Sequence, residues 1–179
     1  NRDSASYPNV LTDSVRGNTK YLQSDSTISE QTATTGITSF NDDGFSLGAN
    51  GYFNGGASGA NNRMVAWCWK AGDHDDSIPQ INTEGSIDSI VSVNDAAGFS
   101  IVKYTGNETA SQTVGHGLSS SPEIAFIKQL DGGRDWTVPL FTQTSGNYLH
   151  LNTASAKATD TNKWSAVSST TFTVGADPY

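Results

Sequence analysis

Cysteine occurs once in this 179-residue chain, at Cys68, so no intramolecular disulfide holds the fold. Secreted β-domains often carry disulfides, and their absence leans towards folding in a reducing compartment. Cationic residues are also few. Ten Lys and Arg stand against eighteen Asp and Glu, giving a net charge of -8 and a pI near 4.6. The ten are scattered, so no basic patch exists to hold a phosphate backbone, and a nucleic-acid partner is excluded. No apolar run approaches the roughly 20 residues that a membrane helix needs, so no membrane partner is expected either. The first residues do not read as a signal peptide, although a processed chain would have lost one. Helical periodicity is missing as well: no segment keeps an apolar repeat across three turns.

What is present is short β character between polar turns. Only 35% of residues are hydrophobic and 16% charged, with Gly, Ser, Thr and Asn filling the gap. Four Trp, six Tyr and seven Phe make the chain too aromatic for a disordered one. The pattern predicts strands near Val10–Val15, Lys20–Ser24, Gly44–Leu47, Met64–Lys70, Ile87–Val93, Phe99–Tyr104, Ile124–Gln129, Trp136–Phe141, Tyr148–Leu151 and Thr171–Val174. Turns fall in "GANGYFNGGASGANN" (48–62) and "LDGGRD" (130–135), where Gly and Asn tolerate positive φ. In "FSIVKY", Phe99, Ile101 and Lys103 share one face and Ser100, Val102 and Tyr104 the other, as in an interior or interface strand. Such spacing indicates an all-β protein of β-sandwich or jelly-roll-like units.

The chain also resembles itself. Shifted by 127 residues, "KYLQSDSTISEQTATTGITSFNDDGFSLG" (20–48) lies ungapped on "NYLHLNTASAKATDTNKWSAVSSTTFTVG" (147–175). Tyr21/Tyr148, Leu22/Leu149, Thr32/Thr159, Thr34/Thr161, Phe45/Phe172 and Gly48/Gly175 are identical pairs. This predicts an internal repeat of about 127 residues, with a first β unit over 1–97 and a second over 98–179. "SPEIAFIK" (121–128) precedes the second copy and "NNRMVAWCWKAG" (61–72) follows the first. The first unit is therefore expected to lack its first strand and the second its last. Such a chain is a window on a longer array, or a subunit whose edges are completed by neighbours. Homo-oligomer or filament neighbours, docked by β-edge completion, are the expected partners.

The string "GFSIVKYTGNETASQTVGHGLSSSPEIAFIKQLDGGRDWTV" (98–138) resembles a module of tailed-bacteriophage proteins of the marine and cyanophage type, and residues 1–72 resemble the unit that flanks it there. "QLDGGRD" replaces the "NRD" usual after the Lys, and "DHDD" falls where the module varies. The resemblance implies a virion appendage such as a tail fibre, found on the virion or outside the cell, with a structural or host-recognition role and no catalysis.

Candidate chemistry is sparse. Trp67 and Trp69 share one face of the predicted strand "VAWCWK". They offer either a stacking platform for a cell-surface glycan or a buried core strand, and the core reading is preferred because Trp and free Cys are common in cores. Tyr52 and Phe53 lie in a Gly-rich loop, where aromatics with nothing to pack on suit recognition. Asp73, Asp75 and Asp76, with His74 between them, offer carboxylates for a hard cation, but their contiguity reads as a solvated loop. Asn41, Asp42 and Asp43 read as a turn. One Cys and three scattered His make no zinc set, and no cofactor is expected. His116, between two glycines, reads as a structural turn residue, because no activated nucleophile is marked beside it. Glu30, Glu84, Glu108 and Glu123 form no carboxylate pair by spacing. Asn107-Glu108-Thr109 is a glycosylation sequon, used only if the chain is secreted. The sequence thus favours a non-enzymatic structural and adhesion protein. A secreted carbohydrate-binding lectin-like domain, a glycoside hydrolase or depolymerase, and a subunit of a cellular extracellular filament stand as alternatives.

Overall fold

The structure, a computed structural model, describes residues 7–55, 63–72 and 80–177. It is all-β, built from small antiparallel sheets. Strands β1 (Val10–Leu11), β2 (Lys20–Gln23) and β3 (Gln31–Thr32) form one sheet, and β4 (Ile37–Asn41) with β5 (Gly44–Leu47) form a hairpin. Next come β6 (Gln80–Asn82), β7 (Ser89–Asn94) and β8 (Phe99–Tyr104), which make a second three-stranded sheet with β7 in the middle. After them follow β9 (Gln112–Gly115), β10 (Thr137–Pro139), β11 (Asn147–His150), β12 (Ala158–Thr159), β13 (Trp164–Val167) and β14 (Thr171–Val174). Strands β10, β11 and β12 pair in that order, and β14 lies between β13 and β9.

Predicted and observed strands coincide at β5, β8 and β14, where β-branched or aromatic residues fill a run bounded by turn residues. Asn41-Asp42-Asp43-Gly44 is the tight turn of the β4–β5 hairpin, as its composition predicts. Two expectations are corrected. Among the described residues Met64–Lys70 forms no ladder strand: Met64 makes a single bridge, and at the far end the Lys70 and Ala71 carbonyls accept from the Asn94 and Ser92 side chains. The boundary between residues 97 and 98 falls inside a hairpin: β7 and β8 pair over six positions, joined by a single 3-10 turn at Asp95–Ala97. Gly98 closes that turn at φ 64, a conformation that suits glycine.

Two cores follow from this wiring. The first gathers Tyr21, Ala33, Ile37 and Phe53, with Val10, Phe45 and Tyr52 packed against them. The second gathers Ile87, Val114, Phe141, Trp164, Phe172 and Val174. Ile87 belongs to this second core, so residues before 98 serve the second unit. Trp136 spans the two units, its indole N–H donating to the Gln23 carbonyl at 2.7 Å.

Strands β1–β5 and β10–β14 share spacing and register at an offset of 127 residues. Leu11 pairs with Leu22 and Val138 with Leu149; Lys20 pairs with Thr32 and Asn147 with Thr159. Ile37 pairs with Leu47 and Trp164 with Val174, each followed by a bulge at the same place. The Gly48 N–H donates to the Gly36 carbonyl at 2.8 Å, and the Gly175 N–H to the Lys163 carbonyl at 3.0 Å. A Cβ on Gly48 would lie 2.5 Å from the Thr35 oxygen, and one on Gly175 1.6 Å from the Asn162 oxygen. Both glycines are there because the bulge brings another backbone against them.

The surroundings of the two sets differ. The outer edge of β14 is covered by β9, and that of β10 by bridges from Ile124 to Leu140 and Ile127 to Thr137. Among the described residues no strand covers the outer edges of β5 and β1.

Candidate interaction surface

The expected recognition aromatics separate into two groups. Phe53 is 7% exposed and Tyr52 is half-buried. The Asn50 side-chain oxygen accepts from the Tyr52 N–H at 2.9 Å and turns the loop back over the sheet. Tyr21 then meets Phe53 edge-on at 5.6 Å and Tyr52 at 6.2 Å, and Tyr7 meets Tyr52 at 5.8 Å. Gly36 leaves the room that the Phe53 ring fills, since a Cβ there would come within 2.7 Å of it. The expectation that Tyr52 and Phe53 stand free in a loop is therefore overturned: they close the first core. Burial and the neighbouring Tyr52 push the Tyr21 phenol above its ordinary range.

Trp67 and Trp69 show the reverse. Instead of lying in a core strand they are 75% and 60% exposed, and Cys68 between them is exposed too. The end of their segment is fixed to β7. Ser92 Oγ donates to the Ala71 carbonyl at 3.2 Å, and Asn94 Nδ2 to the Lys70 carbonyl at 3.1 Å. Gly72, at φ 126, crosses so close to Val93 that a Cβ would sit 2.3 Å from its oxygen. Anchored there, residues 64–69 present Met64, Val65 and the two indoles outward. Trp69 stacks nearly parallel on Phe99, with centroids 6.2 Å apart and planes 13° apart. Ile124 and Phe126, 47% and 57% exposed, line the same open groove, as do Phe40 and Leu47 at 36% and 39%. An apolar surface of this breadth is typical of an interaction face.

The remaining candidates resolve simply. Asp73, Asp75 and Asp76 lie outside the described residues, and within those residues no group of three or more acidic, His or Cys side chains is placed to hold a metal ion. Asn107 is exposed at a turn, where its side-chain oxygen accepts from the Thr109 N–H at 3.1 Å. His116 is 3% exposed, and both ring partners are backbone groups. Nδ1 accepts from the Leu118 N–H at 3.2 Å, which leaves Nε2 to donate to the Ser168 carbonyl at 3.3 Å. Burial holds this imidazole below its ordinary pKa, against smaller opposing effects from the Ser168 carbonyl and Glu84.

Two features of the surface were hidden in the sequence. Strand β9 lies in "QTVGHGL", which reads as a turn, although Val114 is fully buried. The open edge of β5 shows only by comparison with β14.

A family model for a domain of unknown function, DUF7483, matches residues 1–178. The chain belongs to the DUF7483 family. No curated protein and no solved structure matches it. Because the match runs through both cores, the two strand sets and the groove belong to one DUF7483 domain.

Proposed function

We propose that this DUF7483 domain is a non-enzymatic assembly component, built on two copies of a five-stranded module and joined to its neighbours by strand addition. The observation that carries the reading is a difference between equivalent positions. Val174 on β14 is 4% exposed beside β9, whereas Leu47 on β5 is 39% exposed at an edge that no strand among the described residues covers. Edges of this kind recruit strands, and most folds blunt them. With the resemblance of residues 98–138 to phage modules, the setting we favour is a virion appendage such as a tail fibre, working by assembly and host-surface contact. The test is the mass of the chain in solution together with electron microscopy. Regular oligomers or filaments support the reading; a monomer at all concentrations, absent from purified virions, refutes it.

Trp67 favours a second reading, a glycan-binding face. An indole 75% exposed beside the Trp69–Phe99 stack offers the flat apolar surface on which pyranose rings pack. Binding on a glycan array that Trp67→Ala removes would establish it.

A further inference from the structure

We propose that β5 is an acceptor for a strand with the β9 pattern, an extended Gln-Thr-Val-Gly segment belonging to another module of this family. The proposal rests on the assembly reading and names the partner in it.

The template is inside the chain. Strand β9 lies antiparallel on β14, with Gly115 opposite Thr171, Val114 opposite Phe172, Thr113 opposite Thr173 and Gln112 opposite Val174. At the 127-residue offset, Gly44, Phe45, Ser46 and Leu47 occupy the same four positions. Peptide directions match as well. Asn41 pairs with Gly44 across the hairpin turn, and the Gly48 N–H binds the Gly36 carbonyl. Gly44, Ser46 and Gly48 therefore turn their peptide groups to β4, and antiparallel alternation sends those of Phe45 and Leu47 outward. Their equivalents, Phe172 and Val174, are the residues whose peptide groups meet β9. Side chains differ most at one of the two positions: Phe172 and Val174 are both buried with Val114 and Ile87, whereas Leu47 is exposed and Phe45 is half-buried against the first core.

The chain's own β9 does not serve both acceptors. One edge of it is spent on β14, and on the other the Thr113 carbonyl accepts from the Ile87 N–H at 3.0 Å. Among the described residues one β9 donor stands against two such acceptor edges. A strand of a different module is the occupant we assign to β5, and a segment alternating a buried Val with outward polar residues is what Phe45 and Leu47 select.

The experiment adds a fluorescent peptide of the sequence Ala110–Leu118 to the full chain and follows anisotropy and amide exchange. Saturable one-to-one binding is expected, with exchange slowing at the Phe45 and Leu47 amides and unchanged at Phe172 and Val174. Methylating the peptide nitrogen at its Val114 position removes the N–H that faces the acceptor, and binding should weaken about tenfold or more. Leu47→Pro should do the same: it deletes an outward N–H without touching a β4–β5 bond, a site where an edge strand tolerates proline. The methylated peptide decides the matter even where that variant folds poorly. No binding, binding indifferent to both changes, or protection at Phe172 and Val174 overturns the proposal. So does a dimer that protects Phe45 and Leu47 without peptide at pH 7 and about 0.15 M salt, where charge repulsion is unscreened enough to oppose β5 pairing with itself. Assembly measured without peptide is a separate readout, so the acceptor can fail while the assembly reading stands.

Discussion

Replacing Gly175 or Gly48 by alanine tests the shared joint of the two strand sets directly. Neither glycine needs a positive φ, so the cost is steric alone. At Gly175 the new Cβ would meet the Asn162 oxygen at 1.6 Å and its carbon at 2.2 Å, well inside any tolerable contact. The backbone has to part by more than 1 Å, which strains the bulge at Trp164 and threatens the 3.0 Å bond from the Gly175 N–H. Overpacking typically costs 1–3 kcal/mol, and a lost backbone bond adds roughly 1 kcal/mol. We expect Gly175→Ala to cost about 3 kcal/mol or more. At Gly48 the contact is 2.5 Å to the Thr35 oxygen, in an exposed hairpin that yields more easily, so about 1–2 kcal/mol is expected. Gly44→Ala is the control, since nothing lies within 4 Å of its Cβ position. It should change stability by no more than about 0.5 kcal/mol. Urea unfolding followed by tryptophan fluorescence, with amide exchange to assign each loss to its unit, measures all three. Equal effects at Gly44 and Gly175 would sink the argument that the bulges set these positions.

Phe53→Ala should destabilise the first core by about 3–4 kcal/mol, whereas Trp67→Ala should change stability by less than about 1 kcal/mol; thermal unfolding separates them. Arg16 donates to Asp13 at 2.6 Å, Glu30 at 3.3 Å and the Leu11 carbonyl at 3.2 Å with its side chain 7% exposed, so Arg16→Met, which leaves two carboxylates facing each other, should cost about 2–3 kcal/mol in urea. His116 takes a proton near pH 6.5 when unfolded but only at lower pH when folded, so acidification through 6.5 favours the unfolded state and stability should fall there. His116→Gln should flatten that part of the pH–stability curve; an unchanged slope assigns it to other groups.

How much of this the sequence disclosed depends on where each side chain finds its partners. Gly44–Leu47, Phe99–Tyr104 and Thr171–Val174 were legible because period-2 patterning sits between turn residues, and local signals suffice. Gln31–Thr32 and Ala158–Thr159 were not, because two-residue strands carry no period. Strand β9 escaped for another reason: Gly115 and Gly117 look like a turn, yet Gly115 is needed where the Asn82 side chain crowds the backbone. The aromatics inverted the usual expectation in both directions. Tyr52 and Phe53 sit among glycines but bend back onto Tyr21 through an Asn50 turn, a contact over thirty residues that composition does not encode. Trp67 and Trp69 alternate like a core strand, but the segment is tied to β7 at its end, where Asn94 and Ser92 bond the Lys70 and Ala71 carbonyls, and both indoles stay exposed. The divide at residue 97 failed because Asn94 caps a single 3-10 turn and so makes a hairpin of two strands the pattern kept apart.

An edge that no described strand covers, beside apolar side chains, should also make the chain sticky, and its charge opposes that. The β4–β5 turn carries Asp42 and Asp43, both exposed at the end of the open edge, and the whole chain bears a net charge of -8. Two copies approaching through β5 bring two chains of the same net charge together, a repulsion that works against self-pairing. At 0.15 M salt the screening length is about 8 Å, and at 1 M about 3 Å, so concentrated salt removes most of that protection. Acidification towards the pI near 4.6 removes it by neutralising charge. Light scattering should therefore rise with salt, and again as pH approaches 4.6, at protein concentrations that are quiet at pH 7. Asp42→Asn with Asp43→Asn should lower the salt needed, and Leu47→Pro should raise it. If the proline variant associates at the same salt concentration as the parent chain, the contact does not lie on the edge of β5, and the charge argument fails there.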